Sequence, residues 1–268
     1  MTRPVRWPRG LLAILALLCA ASSAHAAIHP STDGNELAAA FAPGLGATGI
    51  LTGQVEVFNA GVVDDAPGAL GHAIVLSTGL AVQAGLPNAT VVNFDNDRPG
   101  VSFLEEVAGA GAGSSSDGVL LTLFLTVASP TQAAFEFVFA TDETNATSND
   151  AFAARLIPPG GQAGPNIALF NGGAMTVVAA PLAPDTQTAF DRLTQVVPVS
   201  VSLLPGQNQL LFMISDIGNG SGDSAVYLAN LHALTIPEPA SAALLGLGLA
   251  ALAVPGARRR YGRNTAGR

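Results

Sequence analysis

The stretch that decides the fold is Phe135-Glu136-Phe137-Val138-Phe139. Its phenylalanines occur at every second position, and successive side chains of a β-strand point to opposite faces of a sheet. The three rings therefore share one face, where we expect a hydrophobic core. A row of aromatic rings can also form a platform for a ligand, but phenylalanine is more often buried. The stretch predicts a strand with one buried face.

The same period of two recurs on both sides of this strand. Leucine and valine alternate with threonine and phenylalanine over residues 121–127, and valine alternates with proline and serine over residues 197–203. Further strands are expected at residues 50–58, 73–77, 209–214 and 225–234. Leu203-Leu204-Pro205-Gly206 has the composition of a turn. Short strands joined by such turns predict an all-β fold, an antiparallel β-sandwich of jelly-roll type.

One segment near the beginning of this sandwich departs from the strand pattern. Polar residues 31–33 can accept hydrogen bonds from the free amides of a helix start, and Glu36 suits the first turn. We therefore expect a short N-terminal helix that ends near Phe41. Residues 44–49 match the glycine pattern of dinucleotide-binding loops, but they follow a helix and precede a strand. They predict a turn.

The first 26 residues have the three regions of a secretory signal peptide. Three arginines precede an apolar run at residues 11–21, and Ala24-His25-Ala26 has the small residues of a cleavage site. The mature chain is therefore expected to begin at Ala27. Cys19, the single cysteine, lies in this segment, which excludes disulfides and cysteine chemistry from the mature chain.

The C-terminal tail has three parts in a fixed order. Pro237-Glu238-Pro239 is followed by the apolar residues 240–254 and then by Arg258, Arg259 and Arg260. At about 1.5 Å per residue, a helix over residues 239–257 approaches the roughly 30 Å thickness of a bilayer core. The positive-inside rule would keep the arginines in the cytoplasm and place the preceding residues outside.

This tail resembles the PEP-CTERM sorting signal of Gram-negative bacteria. The resemblance implies recognition by an exosortase-type processing enzyme after export across the inner membrane. The C-terminal helix would anchor the chain in the membrane until cleavage sends the body to the cell surface or the extracellular space. A plain single-pass anchor is the alternative. The expected divisions are a signal peptide (1–26), a body (27–235), a sorting signal with its transmembrane helix (236–262) and a cytoplasmic tail (263–268).

The body carries five short motifs in order. They are IVLSTG (74–79), FEFVFATDE (135–143), NDAF (149–152), NIAL (166–169) and DSAVYL (223–228). Together they resemble the choice-of-anchor L domain, which occurs on bacterial surface proteins with various C-terminal anchors. The resemblance implies a secreted β domain and assigns no biochemistry to it.

The body is strongly acidic. Residues 27–236 contain 18 Asp and Glu residues against Arg98, Arg155 and Arg192, a formal charge of −15. Such a surface repels nucleic acid and anionic lipid, so we predict no nucleic-acid partner. The same surface is compatible with divalent cations.

Two loops of the body stand out by composition. Residues 105–118 are rich in glycine, alanine and serine and predict a mobile loop. The second loop gathers acidic and amide groups directly after the phenylalanine strand. Its oxygen-bearing residues are Asp142, Glu143, Asn149 and Asp150, and two more acids, Asp216 and Asp223, flank the glycine-rich turn 218–222.

These six oxygen-bearing residues are the candidate metal ligands. Calcium takes six to eight oxygens from carboxylates, amides and backbone carbonyls, and loops at one end of a sandwich can supply them. The spacing of an EF-hand is absent. Because Asn and Asp are also common in solvated turns, ordinary turn residues are the alternative.

Catalytic motifs are not recognisable in the body. His29, His72 and His232 are isolated in sequence, and neither a nucleophile elbow nor a phosphate-binding loop is present. We predict a non-enzymatic surface protein with a structural or adhesive role in the extracellular or exopolysaccharide matrix, with polysaccharide as its partner. Because the two carboxylates of a glycoside hydrolase need only meet in space, the alternatives are a polysaccharide-acting hydrolase and a carbohydrate-binding module.

The tail generates the first testable prediction. If an exosortase cleaves near Pro237-Glu238-Pro239, the mature surface form will lack the apolar helix and the arginines. Intact-mass measurement of the protein released from cells should show a chain that ends in this region. A mature form that retains Arg258, Arg259 and Arg260 would instead identify the helix as a permanent anchor.

Overall fold

The structure is a computed structural model that describes residues 27–52, 59–86, 93–95, 98–143, 148–186, 188–218 and 222–234. The predicted signal peptide, the sorting motif and the arginine cluster lie outside these residues. The chain divides into Met1–Leu234 and Thr235–Arg268, and the described residues belong to the first unit. No helix in the described ranges is long and apolar enough to cross a membrane.

Strands dominate the described residues and are joined by a few short helices. The strands are β1 (Ala27–Pro30), β2 (Thr48–Thr52), β3 (Ala60–Ala66), β4 (Gly71–Ser77), β5 (Ser115–Val127), β6 (Thr131–Thr141), β7 (Ala151–Ile157), β8 (Leu169–Phe170), β9 (Gly173–Thr176), β10 (Ala183–Pro184), β11 (Arg192–Leu193), β12 (Val197–Leu203), β13 (Gly206–Ile217) and β14 (Ser224–Ala233). The helices are α1 (Gly34–Phe41), α2 (Ala81–Ala84) and α3 (Ser102–Ala108), with a 3-10 turn at Pro67–Ala69.

The strands form two antiparallel sheets. Sheet A has the order β1-β3-β4-β14-β6-β11-β10, and β12 also pairs with β6. Sheet B has the order β2-β5-β13-β7-β9-β8. The predicted all-β antiparallel sandwich is therefore confirmed.

The main core lies between the two sheets and contains the phenylalanine stripe. Phe135, Phe137 and Phe139 are fully buried, as predicted. The ring of Phe135 meets Phe41 of α1 at 6.1 Å and Phe212 of β13 at 5.3 Å, both edge to face. Because edge-to-face pairs add to the stability gained by burial, these contacts tie both sheets and α1 together.

The predicted N-terminal helix is confirmed as α1. The side chain of Asp33 caps it by accepting a hydrogen bond from the amide of Asn35 at 2.8 Å. The glycine-rich segment 44–49 forms the expected turn and leads into β2. At Gly49, a β-carbon would overlap the carbonyl group of Gly34, so a glycine is required where α1 and β2 touch.

The prediction of a loop over residues 105–118 was wrong at both ends of this segment, and its mobility stays a prediction. Helix α3 covers its first part, β5 begins at Ser115, and Gly109 ends the helix with a φ of 68°. The Glu105 carboxylate accepts hydrogen bonds from the amides of Gly113 and Ser115 at 2.9 and 3.1 Å. These bonds order a segment that its composition alone would leave loose.

Two predicted strands also differ in extent or pairing. The strand expected at residues 50–58 begins earlier, as β2, and residues 53–58 lie outside the described ranges. The strand expected at 209–214 is the longer β13, which pairs with β5 and β7 in sheet B. The turn before it therefore carries the chain from one sheet to the other, with Gly206 at a φ of 109°.

Additional apolar clusters cover the outer faces of both sheets near one end. Phe190 and α2 pack on sheet A, where the hydroxyl of Tyr227 donates to the carbonyl of Ala84 at 3.0 Å. On sheet B, Leu104 of α3 packs with Met213. At this end the strands are therefore buried on both faces, and polar groups there lose their contact with water.

Truncation of the stripe tests the core. Phe137 is fully buried and its ring lies 5.0 Å from that of Phe152. Replacement of Phe137 by Ala should lower the free energy of unfolding by about 3–5 kcal/mol. Denaturant titration measures the change, with Ser200→Ala on the exposed face of neighbouring β12 as the control. A change within about 0.5 kcal/mol for Phe137→Ala would contradict a core position.

Candidate functional site

The candidate site lies where several strand ends meet. In sheet A, Ser224 at the start of β14 is opposite Thr141 at the end of β6. In sheet B, Asp216 near the end of β13 is opposite Ser116 near the start of β5. The antiparallel register thus gathers loops from both sheets. The acids Asp117, Glu143, Asp150, Asp216 and Asp223 are buried there, each 0–4% exposed, and we call them the acidic cluster.

Asp150 links the two sheets within the acidic cluster. It precedes β7 of sheet B, and its Oδ1 accepts from the amide of Ile217 at 3.0 Å. Its Oδ2 accepts from the hydroxyl of Ser224, in sheet A, at 2.7 Å. The Ser224 hydroxyl also lies 2.8 Å from the Thr141 hydroxyl, which can donate to it in turn. This chain of hydroxyls fixes the position of the carboxylate.

Glycines bring the backbone close to two other acids. A β-carbon at Gly79 would overlap the carboxylate of Asp223, which also accepts from the amide of Phe94 at 3.1 and 3.2 Å. At Gly222, which has a φ of 87°, a β-carbon would lie 2.9 Å from Oε1 of Glu143. Any residue larger than glycine at position 79 or 222 would therefore occupy the space of one of these carboxylates.

Asp216 lies on the same face of β13 as the core residues Phe212 and Ile214, as the period of two requires. The β-bulge beside it is in β5, where Asp117 and Gly118 together oppose Ser215. Neither oxygen of Asp216 has a hydrogen-bond partner among the described residues. The Thr78 hydroxyl lies near Asp216 and opposes the rise in its pKa, and it also lies 3.3 Å from the carbonyl oxygen of Ser224.

Sequence reasoning missed Asp117 as a member of the cluster. It lies inside an apparently ordinary strand, with a φ of 49°, and its Oδ1 accepts from the amide of Arg98 at 3.1 Å. The signal that could have found it is the Asp-Gly pair at the head of an apolar run, since aspartate tolerates positive φ better than most residues.

Two of the predicted ligands serve other purposes. The side chain of Asn149 bridges two backbone segments, since its amide donates to the carbonyl of Ala108 at 3.2 Å and its oxygen accepts from the amide of Val178 at 3.0 Å. Asp142 is half-buried, and its Oδ1 accepts from the amide of Asp191 at 2.8 Å. The structure therefore brings together Glu143, Asp150, Asp216 and Asp223. Asp142 lies beside them, since its amide donates to the carbonyl of Asp223 at 3.1 Å and its charge helps to raise the pKa of Asp223.

Burial changes the acidity of the cluster. Desolvation, aided by the charges of Asp150 and Asp223, raises the pKa of Glu143 to about 8, and burial raises the pKa of Asp223 to about 7. Burial also raises the pKa of Asp150 and of Asp216. Glu105 shows the contrast, because its hydrogen bond from the Ser115 hydroxyl lowers its pKa. The hydrogen bonds within the cluster therefore do not offset the cost of ionising its carboxyl groups, which hold their protons to higher pH than exposed ones.

A second feature is an open groove along β6, β12 and β14, with a volume of about 570 Å³. Its polar lining is Glu136, Ser200, Asn230 and His232, and its apolar lining includes Pro43, Pro198 and Leu234. A bulge in β14 puts Asn230 at a φ of 60°, and its amide donates to Oε2 of Glu136 at 2.7 Å. The groove thus presents one carboxylate to solvent.

Two of the histidines that are isolated in sequence have polar partners in the structure. Nδ1 of His72 lies 2.9 Å from the carboxylate of Asp64, and both side chains are exposed. Nδ1 of His232 lies 2.6 Å from the carbonyl oxygen of Asn230. In the described ranges, no group of three or more His, Cys, Asp or Glu side chains stands ready to hold a metal ion.

Comparison with solved structures gives alignments at low identity and low TM-score. No family model and no curated protein matches the chain. The carbohydrate-binding module TmCBM27, described for specific mannan recognition, aligns over 78% of this chain and 98% of its own, with 9% identity and a TM-score of 0.37. The module Xyl-CBM35, solved with a glucuronic acid-containing disaccharide, covers 61% of this chain and 99% of its own, with 17% identity and a TM-score of 0.23.

An enzymatic structure also aligns with the chain. The enzymatically active domain of tailspike protein 4 from bacteriophage CBA120 covers 75% of this chain and 21% of its own, with 14% identity and a TM-score of 0.28. These alignments are with modules and with enzymes alike. At such TM-scores they assign no function to this chain.

The acidity of the cluster predicts a pH dependence of stability. Glu143 and Asp223 have pKa values of about 8 and about 7 when folded, whereas such carboxyls titrate near 4 in an unfolded chain. Between about pH 4 and pH 8 the folded chain therefore binds more protons, and its free energy of unfolding should fall as the pH rises. Denaturant titrations across this range, with a chelator present, measure the slope.

A neutral isostere provides the control for this slope. Glu143→Gln removes one of the groups that titrate, so the decline between about pH 5 and pH 8 should become shallower. Glu106→Gln, on the exposed side of α3, should leave it unchanged. A stability that is flat or rises with pH in the wild-type chain would contradict the raised pKa values.

Proposed function

We propose that the chain is an exported, surface-sorted, non-enzymatic protein, and that its body has a structural or adhesive role in an extracellular polysaccharide matrix. The observation that carries this proposal is the distribution of carboxylates. Those that cluster are buried beneath loops, whereas the open groove presents Glu136 as its carboxylate. The groove is therefore better suited to hold a polymer than to cleave one.

The chemistry of glycoside cleavage supports this reading. A glycoside hydrolase places two carboxyl groups on either side of the scissile bond, about 5–10 Å apart, within reach of the substrate. The acidic cluster has several carboxyls, but a sugar cannot reach groups that are 0–4% exposed. At the groove, Oε2 of Glu136 accepts a hydrogen bond from the side-chain amide of Asn230. This bond holds the carboxylate in place for recognition of a ligand.

The groove offers hydrogen bonding to hydroxyl groups. The carboxylate of Glu136 accepts hydroxyl protons, and Asn230 and His232 can donate or accept. Pro198 and Leu234 provide apolar surface for the carbon-bound faces of a sugar ring. Every aromatic side chain in the described ranges is at least half-buried, so stacking on an exposed ring is not part of this mode.

Export and sorting complete the proposal. The signal peptide and the Pro-Glu-Pro, helix and arginine signature would deliver the body to the outer side of the cell, where an exosortase would release it. An acidic, cysteine-free body is compatible with that location, because it needs no disulfide to fold and resists association with anionic lipid.

Polysaccharide binding tests the proposal. The protein should be retarded in gels that contain at least one member of a panel of neutral and uronate-containing bacterial polysaccharides. Glu136→Gln should weaken this binding about tenfold or more, because a hydrogen bond to a charged group contributes about 1.5–3 kcal/mol. The control is Gln207→Ala, an exposed side chain on β13 of the other sheet.

The same samples distinguish the alternatives. Release of new reducing ends from any bound polysaccharide would identify a hydrolase and overturn the non-enzymatic assignment. Absence of retardation by every polysaccharide in the panel would contradict a matrix role through the groove. Equal binding by wild type and Glu136→Gln would show that the groove is not the contact surface.

A further inference from the structure

Asp216 is the least satisfied carboxylate among the described residues. Its side chain is 1% exposed, and neither of its oxygens accepts a hydrogen bond. A buried ionised carboxylate without a partner is strongly destabilising, so such groups are normally paired, protonated or coordinated to a metal. Asp216 therefore requires a proton, a partner or a metal ion.

The surroundings of Asp216 are acidic. Its nearest electrostatic neighbours are Asp150, Asp223 and Asp117, each of which disfavours its charge. The carboxyl group of Asp150 also lies near that of Asp216, outside hydrogen-bond geometry. Carboxylates with this arrangement repel one another unless a proton or a cation lies between them.

One positively charged side chain, Arg192, offsets the negative charge on one side of the cluster. The charge of Arg192 acts on Glu143, whereas the charges that act on Asp216 are all negative. Oε2 of Glu143 and Nε and Nη2 of Arg192 are buried without hydrogen-bond partners. Arg192 therefore faces Glu143 without a direct contact, and the side of the cluster around Asp216 has no such partner in the described residues.

We propose that the acidic cluster binds one calcium ion, with Asp216 as the central ligand and Asp150 and Asp223 beside it. All the available ligand atoms are oxygens, which excludes the soft sites that favour zinc or copper. Calcium accepts six to eight oxygens in flexible geometry, whereas magnesium demands a near-ideal octahedron. The hydroxyls of Ser224 and Thr78 and the nearby backbone carbonyls are further oxygens at this end.

The coordination shell forms upon binding. No three acidic or histidine side chains in the described ranges are yet arranged around a metal position. Asp150 and Asp223 already accept backbone amides, so the adjustment falls mainly on Asp216, whose oxygens are uncommitted. A shell that requires such adjustment predicts a Kd of about 10⁻⁴–10⁻³ M, the range of extracellular calcium modules.

Thermal melting of the full-length protein in mild detergent tests the proposal. The protein is stripped with chelator and melted with calcium chloride, magnesium chloride or sodium chloride at equal ionic strength, near pH 7.5. A hundredfold excess of calcium over Kd should raise Tm by about 5–10 °C, and magnesium should raise it much less. Equal shifts in all three salts would show screening alone and would overturn the site.

Matched variants locate the ion. Asp216→Asn keeps the shape of the side chain and removes its charge, so it should melt at or above the wild-type temperature in chelator and lose the calcium shift. Glu106→Gln removes an exposed charge on α3 and should keep the full shift. A full calcium shift in Asp216→Asn would overturn the assignment. If that variant does not fold, Asp223→Asn replaces it with the same criterion.

Calorimetric titration of the stripped wild-type protein with calcium chloride gives an independent measure. One calcium per chain is expected, with affinity that weakens as the pH falls, because protons compete for the ligand carboxylates. Absence of binding up to about 10 mM calcium, well above the expected Kd, would mean that a shared proton neutralises the cluster, and would overturn the proposal. None of these outcomes depends on polysaccharide binding, so the two proposals fail separately.

Discussion

Burial of one face of β6 is the constraint on which the rest of the structure depends. Phe135 lies edge to face with Phe212 of the other sheet at 5.3 Å, and both rings contact Phe41 of α1. A slip of one residue would turn the whole stripe towards solvent, so the core fixes which faces of the sheets oppose each other. That choice then fixes which strand ends meet. The acidic cluster is a consequence of the register of an apolar core.

The acidic end works against the stability that the core provides. The helices and apolar side chains that cover both outer faces there exclude water, so each carboxylate loses solvation. The backbone offers amides to Asp150 and Asp223, and hydroxyls link Asp150 to Ser224 across the two sheets. These bonds hold the carboxylates in place but do not cancel their charges. The carboxylates at this end are therefore held in fixed positions, but their negative charges are not neutralised.

The sequence predicted the strands better than it predicted the site. Period-two runs and turns located the main strands and the sandwich, because burial of one sheet face leaves a pattern in adjacent residues. Helix α3 was missed because Glu105 is held by amides of residues 113 and 115, a contact that composition does not reveal. Four of six predicted oxygen ligands do meet in the cluster. The position of Asp117 depends on a β-bulge in β5, which is set by the pairing with β13 and which no local pattern encodes.

The two proposals are linked by the compartment in which each would act. A calcium site with a Kd of about 10⁻⁴–10⁻³ M remains empty at the calcium levels that cytosolic sensors detect and fills at extracellular levels. Because a ligand that binds only the folded state stabilises it by mass action, the body would gain stability on the outer side of the membrane. Before export, the repulsion within the acidic cluster would favour the unfolded chain. The same buried carboxylates that weaken the isolated fold would thus bias folding towards the compartment in which a matrix protein functions.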